Sequence, residues 1–117
     1  MTTEATLQAL IEPLAAGGCW PVVNTSTTIT YPYAVFYEVS GIPDITLESY
    51  SGLTKKRFQI DCFGTSYGQA KTLAKNIRGA LDAATVTSEM IAEMDGQYDP
   101  STKTYQTILE YYIWSED

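Results

Sequence analysis

Between Gly52 and Leu81 the spacing of apolar residues changes period once, and that change fixes most of what the chain can fold into. Phe58, Ile60 and Cys62 alternate with Arg57, Gln59 and Asp61, the period-two pattern of a strand buried on one face. Gly64 interrupts it. Ser66 followed three residues later by Gln69 has the form of a capping box, the reciprocal pair that satisfies free N–H groups at a helix start. Ala70, Leu73, Ala74, Ile77 and Leu81 then fall on one helical face and Lys71, Lys75 and Arg78 on another. The strand's apolar face and the helix's apolar stripe bury each other, which predicts a nucleus that the other segments join.

The segments before this unit read as a helix and two strands. Leu7, Leu10, Ile11 and Leu14 make a single stripe within a helix over 3–16. Pro13 kinks or ends that helix, because its ring clashes with the carbonyl four residues earlier, and Gly17-Gly18 supplies a left-handed ending. Cys19 to Val23 predicts a brief strand that Pro21 confines to an edge or to a few residues. The hydroxyl-rich run from Asn24 to Thr30 is a loop, and its Asn24-Thr25-Ser26 sequon is a chance match. Tyr31 to Ser40 is a strand apolar on both faces, hence central or covered. Residues 41–52 read as a projecting arm, with a short strand near Ile45 to Ser49.

After the central unit, whose helix should end near Ala83, a strand is expected over about 88–94, with a bulge or turn at Asp95-Gly96. Asp99-Pro100-Ser101-Thr102 is a turn with Pro at its natural second position. The last strand, Tyr105 to Trp114, pairs most simply with the preceding one as a hairpin. The expected fold is therefore α+β in a single domain over residues 1–117: a twisted, mainly antiparallel sheet with about two helices packed on one face. No internal repeat or linker is visible.

Charge narrows the function classes. A net charge of −7 over 117 residues disfavours a protein whose affinity comes from neutralising phosphates. The seven basic residues are unevenly placed. Lys55, Lys56, Arg57, Lys71, Lys75 and Arg78 lie between positions 55 and 78, where Asp61 is the only acid, and Lys103 stands alone among the other thirteen acids. A basic patch on an acidic body suits head-to-tail contact between copies; the bland alternative is a solvated helix face and strand end. Cys19 and Cys62 show no paired spacing and read as small buried hydrophobes in a reducing compartment. No signal-peptide pattern and no membrane-spanning apolar run is present, which predicts a soluble chain made in a cytoplasm.

Catalytic and metal-binding patterns are scarce. Gly64-Thr65-Ser66-Tyr67-Gly68 has the G-x-S-x-G form of a hydrolase nucleophile elbow and falls between a strand and a helix. That chemistry needs a base for the serine proton, and the chain has no histidine. Lys71 and Lys75 are nearby in sequence, with nothing to lower their pKa. Ser66 as a helix cap accounts for the same residues. With no histidine and two distant cysteines, no zinc ligand set exists, and Glu93 with Asp95 reads as a solvated edge rather than a cation site.

The stretch from Ser51 to Leu81 resembles the signature of tail completion proteins of long-tailed bacteriophages and prophages, also called tail terminator or tail-to-head joining proteins. Tyr31-Pro32-Tyr33-Ala34-Val35-Phe36-Tyr37 resembles the family's P-Y-x-V-Y strand. Tyr98 to Tyr105 with Tyr112-Ile113-Trp114 resembles its closing hairpin. Cys19-Trp20-Pro21 and Pro13 depart from the pattern in the N-terminal third. The resemblance implies a non-enzymatic structural protein of the virion tail, without cofactor or metal, made in the bacterial host cytoplasm. It would cap the tail tube as a ring, commonly a hexamer, contact the tail tube protein and the head-side connector or stopper protein, and let DNA pass without specific binding.

Within such a ring, Lys55, Lys56, Arg57, Lys71, Lys75 and Arg78 are the expected subunit interface. Reversal of Lys55, Lys56 and Arg57 to Glu is expected to abolish the ring and leave the fold intact. Another neck or minor tail component, a small protein-binding module whose sheet edge receives a peptide, and a Ser66 hydrolase are the competing readings.

Overall fold

The computed structural model describes residues 3–39, 54–84 and 87–115. Helix α1 (Thr3–Ile11) runs directly into a 3-10 turn, Glu12–Leu14, with Pro13 inside that turn. The α-helix thus ends two residues before the proline, as the clash of its ring requires. Gly18 takes a φ of 90°, a left-handed conformation open to glycine, and its N–H closes on the carbonyl of Ala15.

Five strands follow: β1 (Cys19–Pro21), β2 (Tyr33–Glu38), β3 (Thr54–Gly64), β4 (Thr87–Asp95) and β5 (Tyr105–Ser115), with helix α2 (Tyr67–Ala83) between β3 and β4. They form one sheet in the order β1-β2-β3-β5-β4. Only β1 with β2 is parallel; the other three pairings are antiparallel. The expected α+β class, mainly antiparallel with its helices on one face, is what the chain forms. β5 lies between β3 and β4, so α2 carries the chain over β5 before β4 begins. The β3–β5 ladder runs unbroken from Thr54 opposite Ser115 to Gly64 opposite Tyr105.

Local chemistry sets the element ends. β1 stops at Pro21, after which Val22 takes a φ of 67°, unusual for a β-branched residue. β2 is shorter than the expected Tyr31 to Ser40; Pro32 has no N–H to give a ladder, and its carbonyl accepts from the N–H of Gly17. The bulge in β4 falls between Met90 and Ala92 rather than at Asp95-Gly96, where the Gly96 N–H still bonds to the Gln106 carbonyl. The expected arm over 41–52, with its short strand, lies outside the described residues.

Ser66 caps α2: its hydroxyl accepts the Gln69 N–H at 3.1 Å. The reciprocal contact differs from the expected box. Gln69 Oε1 accepts from the Thr65 N–H at 2.7 Å and the Thr65 hydroxyl at 3.0 Å, one residue ahead of the cap. Gly64 has to be small there, since a Cβ would stand 2.8 Å from the Ala70 nitrogen.

The core lies between the sheet and the two helices. Ala70, Leu73, Ala74, Ile77 and Leu81 are all buried on α2, against Phe58, Ile60 and Cys62 of β3 and Leu109, Tyr111 and Ile113 of β5. Leu7 and Ile11 of α1 complete the cluster with Cys19, Ala34 and Phe36. Truncating Ile77 to Ala is expected to cost about 2–5 kcal/mol in denaturant unfolding, and Ser66→Ala about 1 kcal/mol. An Ile77 variant as stable as the parent would contradict this packing.

Candidate assembly surfaces

Alternation along β3 sends Arg57, Gln59, Asp61 and Phe63 to the sheet face that no described helix covers. Register brings Tyr33, Val35 and Tyr37 of β2 and Ile108, Glu110, Tyr112 and Trp114 of β5 to the same face. Large side chains shield one another there. Val35 is 5% and Asp61 only 6% exposed, although nothing described lies over them. Asp61 accepts from Gln59 Nε2 at 2.8 Å, and Gln106 also bonds to it. Burial still outweighs both bonds and pushes the Asp61 carboxyl above the usual carboxylate range.

Where β3 ends and β5 begins, Tyr33 stacks on Phe63 with centroids 4.8 Å apart, and Tyr98 packs on Tyr105 at 4.7 Å. The Tyr31 and Thr104 hydroxyls meet at 3.0 Å. Tyr31, Tyr33, Phe63 and Tyr98 border a cleft of about 420 Å³ closed on one side by the Asp99–Thr104 turn. Asp99 organises that turn by accepting from the Ser101 N–H and hydroxyl, bonds that hold its carboxyl below the usual range.

The basic residues meet different fates. Arg57 pairs with Glu110 on the open face, a contact that raises the guanidinium's pKa further. Reversing Arg57 would therefore bring two carboxylates together, so the triple reversal over 55–57 is no longer expected to leave the fold untouched. Lys71 pairs with Asp95 at 2.8 Å and Glu93 at 3.5 Å, and Arg78 with Glu93 at 2.8 Å. Two of the three cations on α2 are thus met by acids of β4. Lys75 is exposed and has no carboxylate partner among the described residues. Lys56 is half-buried and engaged, and the Lys55 side chain lies outside the description.

Ser66 is spent on its cap, and the Asp95 bond raises the pKa of Lys71, the wrong direction for a general base. Cys19 and Cys62 are free and buried. Burial, with the Glu12 charge second, pushes the Cys19 thiol up to about 12, and burial pushes Cys62 higher still. Among the described residues no group of three or more potential ligands converges, and no helix is long and apolar enough to cross a membrane.

The sequence matches the family model of the tail completion protein gp17 over residues 5–116. The chain belongs to that family and is a structural protein of a virion tail. Its fold also occurs among solved structures. A chain from a structure described as the virion of a native gene transfer agent particle superposes with a TM-score of 0.57 at 14% identity. The superposition spans 96% of this chain and 85% of that one, and at such identity the likeness speaks for the fold. No curated protein matches the sequence.

Because its folded pKa is raised, Asp61 binds its proton more readily in the native state than in the unfolded one. Its charge therefore costs stability at neutral pH. That cost is relieved as pH falls through the folded pKa towards the unfolded value of about 4. Asp95 and Asp99, whose pKa values are lowered, act oppositely, and their contribution is lost only below about 4. Asp61→Asn is expected to add on the order of 1 kcal/mol at pH 7, a melting-temperature rise of roughly 4 °C that shrinks towards pH 4. A lower melting temperature at pH 7 would contradict it.

Proposed function

We propose that this chain closes the tail tube as a ring of copies, commonly a hexamer in proteins of this kind, and joins the tail to the head-side connector or stopper protein. Residues 1–117 act as one tail-terminator-like domain. The observation that carries the reading is the match to the tail completion family over residues 5–116, which leaves almost none of the chain for a different role. The structure supports it through what it displays: rim cations, an aromatic cleft and an open sheet face, each a contact surface.

Ring assembly joins one patch of a subunit to a different patch of its neighbour. Lys55, Lys56, Arg57, Lys71, Lys75 and Arg78 are the proposed cationic side of that contact, with the tail tube protein below the ring and the connector above. DNA passes through without being gripped, because a net charge of −7 leaves no basic surplus to hold phosphates. The protein is made in the host cytoplasm and enters the tail by assembly.

Light scattering over a concentration series, with and without purified tail tubes, tests this. A ring-sized species, or tubes capped at one end, is the expected result. A monomer that ignores tubes at every concentration would overturn it. Lys55→Glu with Lys56→Glu, which spares the Arg57–Glu110 pair, is expected to reduce the assembled fraction at least severalfold.

A further inference from the structure

The two helices carry opposite charge on opposite rims of the molecule. On α1 and its 3-10 extension, Glu4, Gln8 and Glu12 recur every four residues and so share one side. That side borders β1, the edge strand: Gln8 Nε2 donates to the Cys19 carbonyl at 3.2 Å, and the Glu12 charge reaches the Cys19 thiol. Glu4 and Glu12 are exposed, and neither has a cationic partner among the described residues. On α2, Lys71, Lys75 and Arg78 share the side that borders β4, the opposite edge. With Asp82 and Glu93 they line a shallow groove of about 490 Å³ between α2 and β4, and Lys75 is its one cation without a carboxylate partner among the described residues.

We infer that the acidic rim of α1 in one copy docks on the basic rim of α2 in the next, with Glu12 meeting Lys75. The inference rests on the ring reading and names the contact that closes it. At ~1.5 Å of rise per residue, the stretches Glu4–Glu12 and Lys71–Arg78 are each roughly 10–12 Å long, so the two stripes match in length. Because they lie on opposite edges of one sheet, they meet only between copies, head to tail, and such a contact repeats until it closes. The occupant is a second copy because the acidic rim on the other edge supplies the carboxylate that Lys75 lacks among the described residues. The surfaces beside the charges also permit close approach. Ala5 and Ala9 are exposed on α1, and a Cβ built on Gly68 or Gly79 of α2 would meet nothing within 4 Å. Two exposed helical glycines weaken α2 on its own, and a neighbouring helix backbone is a use for the space they leave.

The test uses the full chain on tail tubes and in solution. Lys75→Glu and Glu12→Lys are each expected to weaken association at least about tenfold, and the double variant to recover it to within about threefold of the parent. Both residues are exposed and have no ion-pair partner among the described residues, so circular dichroism should show unchanged folding. Independently, zero-length carbodiimide coupling of the unaltered protein is expected to join Glu12 or Glu4 to Lys75 in a covalent dimer, read by mass spectrometry. Wild-type assembly that both single variants reproduce, or dimers coupled only through other residues, would overturn this contact and leave the ring standing. A wild type that never associates would overturn both.

Discussion

The burial of α2 on the shared face of β3 and β5 is the contact on which the rest of the structure depends. Leu73, Ile77 and Leu81 are at most 2% exposed, as are Phe58, Ile60, Leu109, Tyr111 and Ile113 beneath them. Those apolar residues join β3 and α2, neighbours in sequence, to the C-terminal β5, so the contact fixes the long β3–β5 ladder and the position of the helix together. It also decides where α1 goes. With α2 seated over β3 and β5, the remaining apolar surface is above β1 and β2, and Leu7 and Ile11 fill it. The helix layer lies wholly on one side as a result, and the other side is left to shield itself with its own side chains.

That open side explains an uncommon feature of the chain, an aspartate buried where no helix covers it. Asp61 sits in the middle strand among long neighbours, and Gln59 and Gln106 satisfy it by hydrogen bonds without neutralising it. Burial is set by the length of the surrounding side chains as much as by layers of structure. Arg57 and Glu110 solve the same problem on that face by pairing. One arrangement retains an uncompensated charge and the other carries none.

Much of the fold was legible from local pattern. The switch from period two to period 3.6 between Cys62 and Ala70 located the central strand and helix, and the buried residues of α2 are the five that the spacing assigned. The β4–β5 hairpin and the shortening of α1 by Pro13 also followed from sequence. What local pattern could not supply was partnership. Nothing in the spacing of Arg57 indicates Glu110, fifty-three residues away, and nothing near Lys71 or Arg78 announces Glu93 across a separate strand. Clustering made the six cations conspicuous, but pairing between distant strands leaves Lys75 without a described carboxylate partner. The parallel joining of β1 to β2, and the insertion of β5 between β3 and β4, were hidden for the same reason. Periodicity reports which face a residue takes and says little about which strand lies beside it.

The two outer strands share a trait with a consequence for growth. β1 is three residues long and ends in Pro21 and a left-handed Val22, while β4 is broken by its bulge and carries Glu89, Glu93 and Asp95. Short length, proline, bulging and charge are the features by which sheets refuse further strands. Neither rim therefore offers a template on which another sheet could be laid down and continued. Polymers built by strand addition propagate because every newcomer presents the same edge that it has just occupied. A subunit whose two described edges are spoiled breaks that inheritance, and what joins it along those edges does so through side chains.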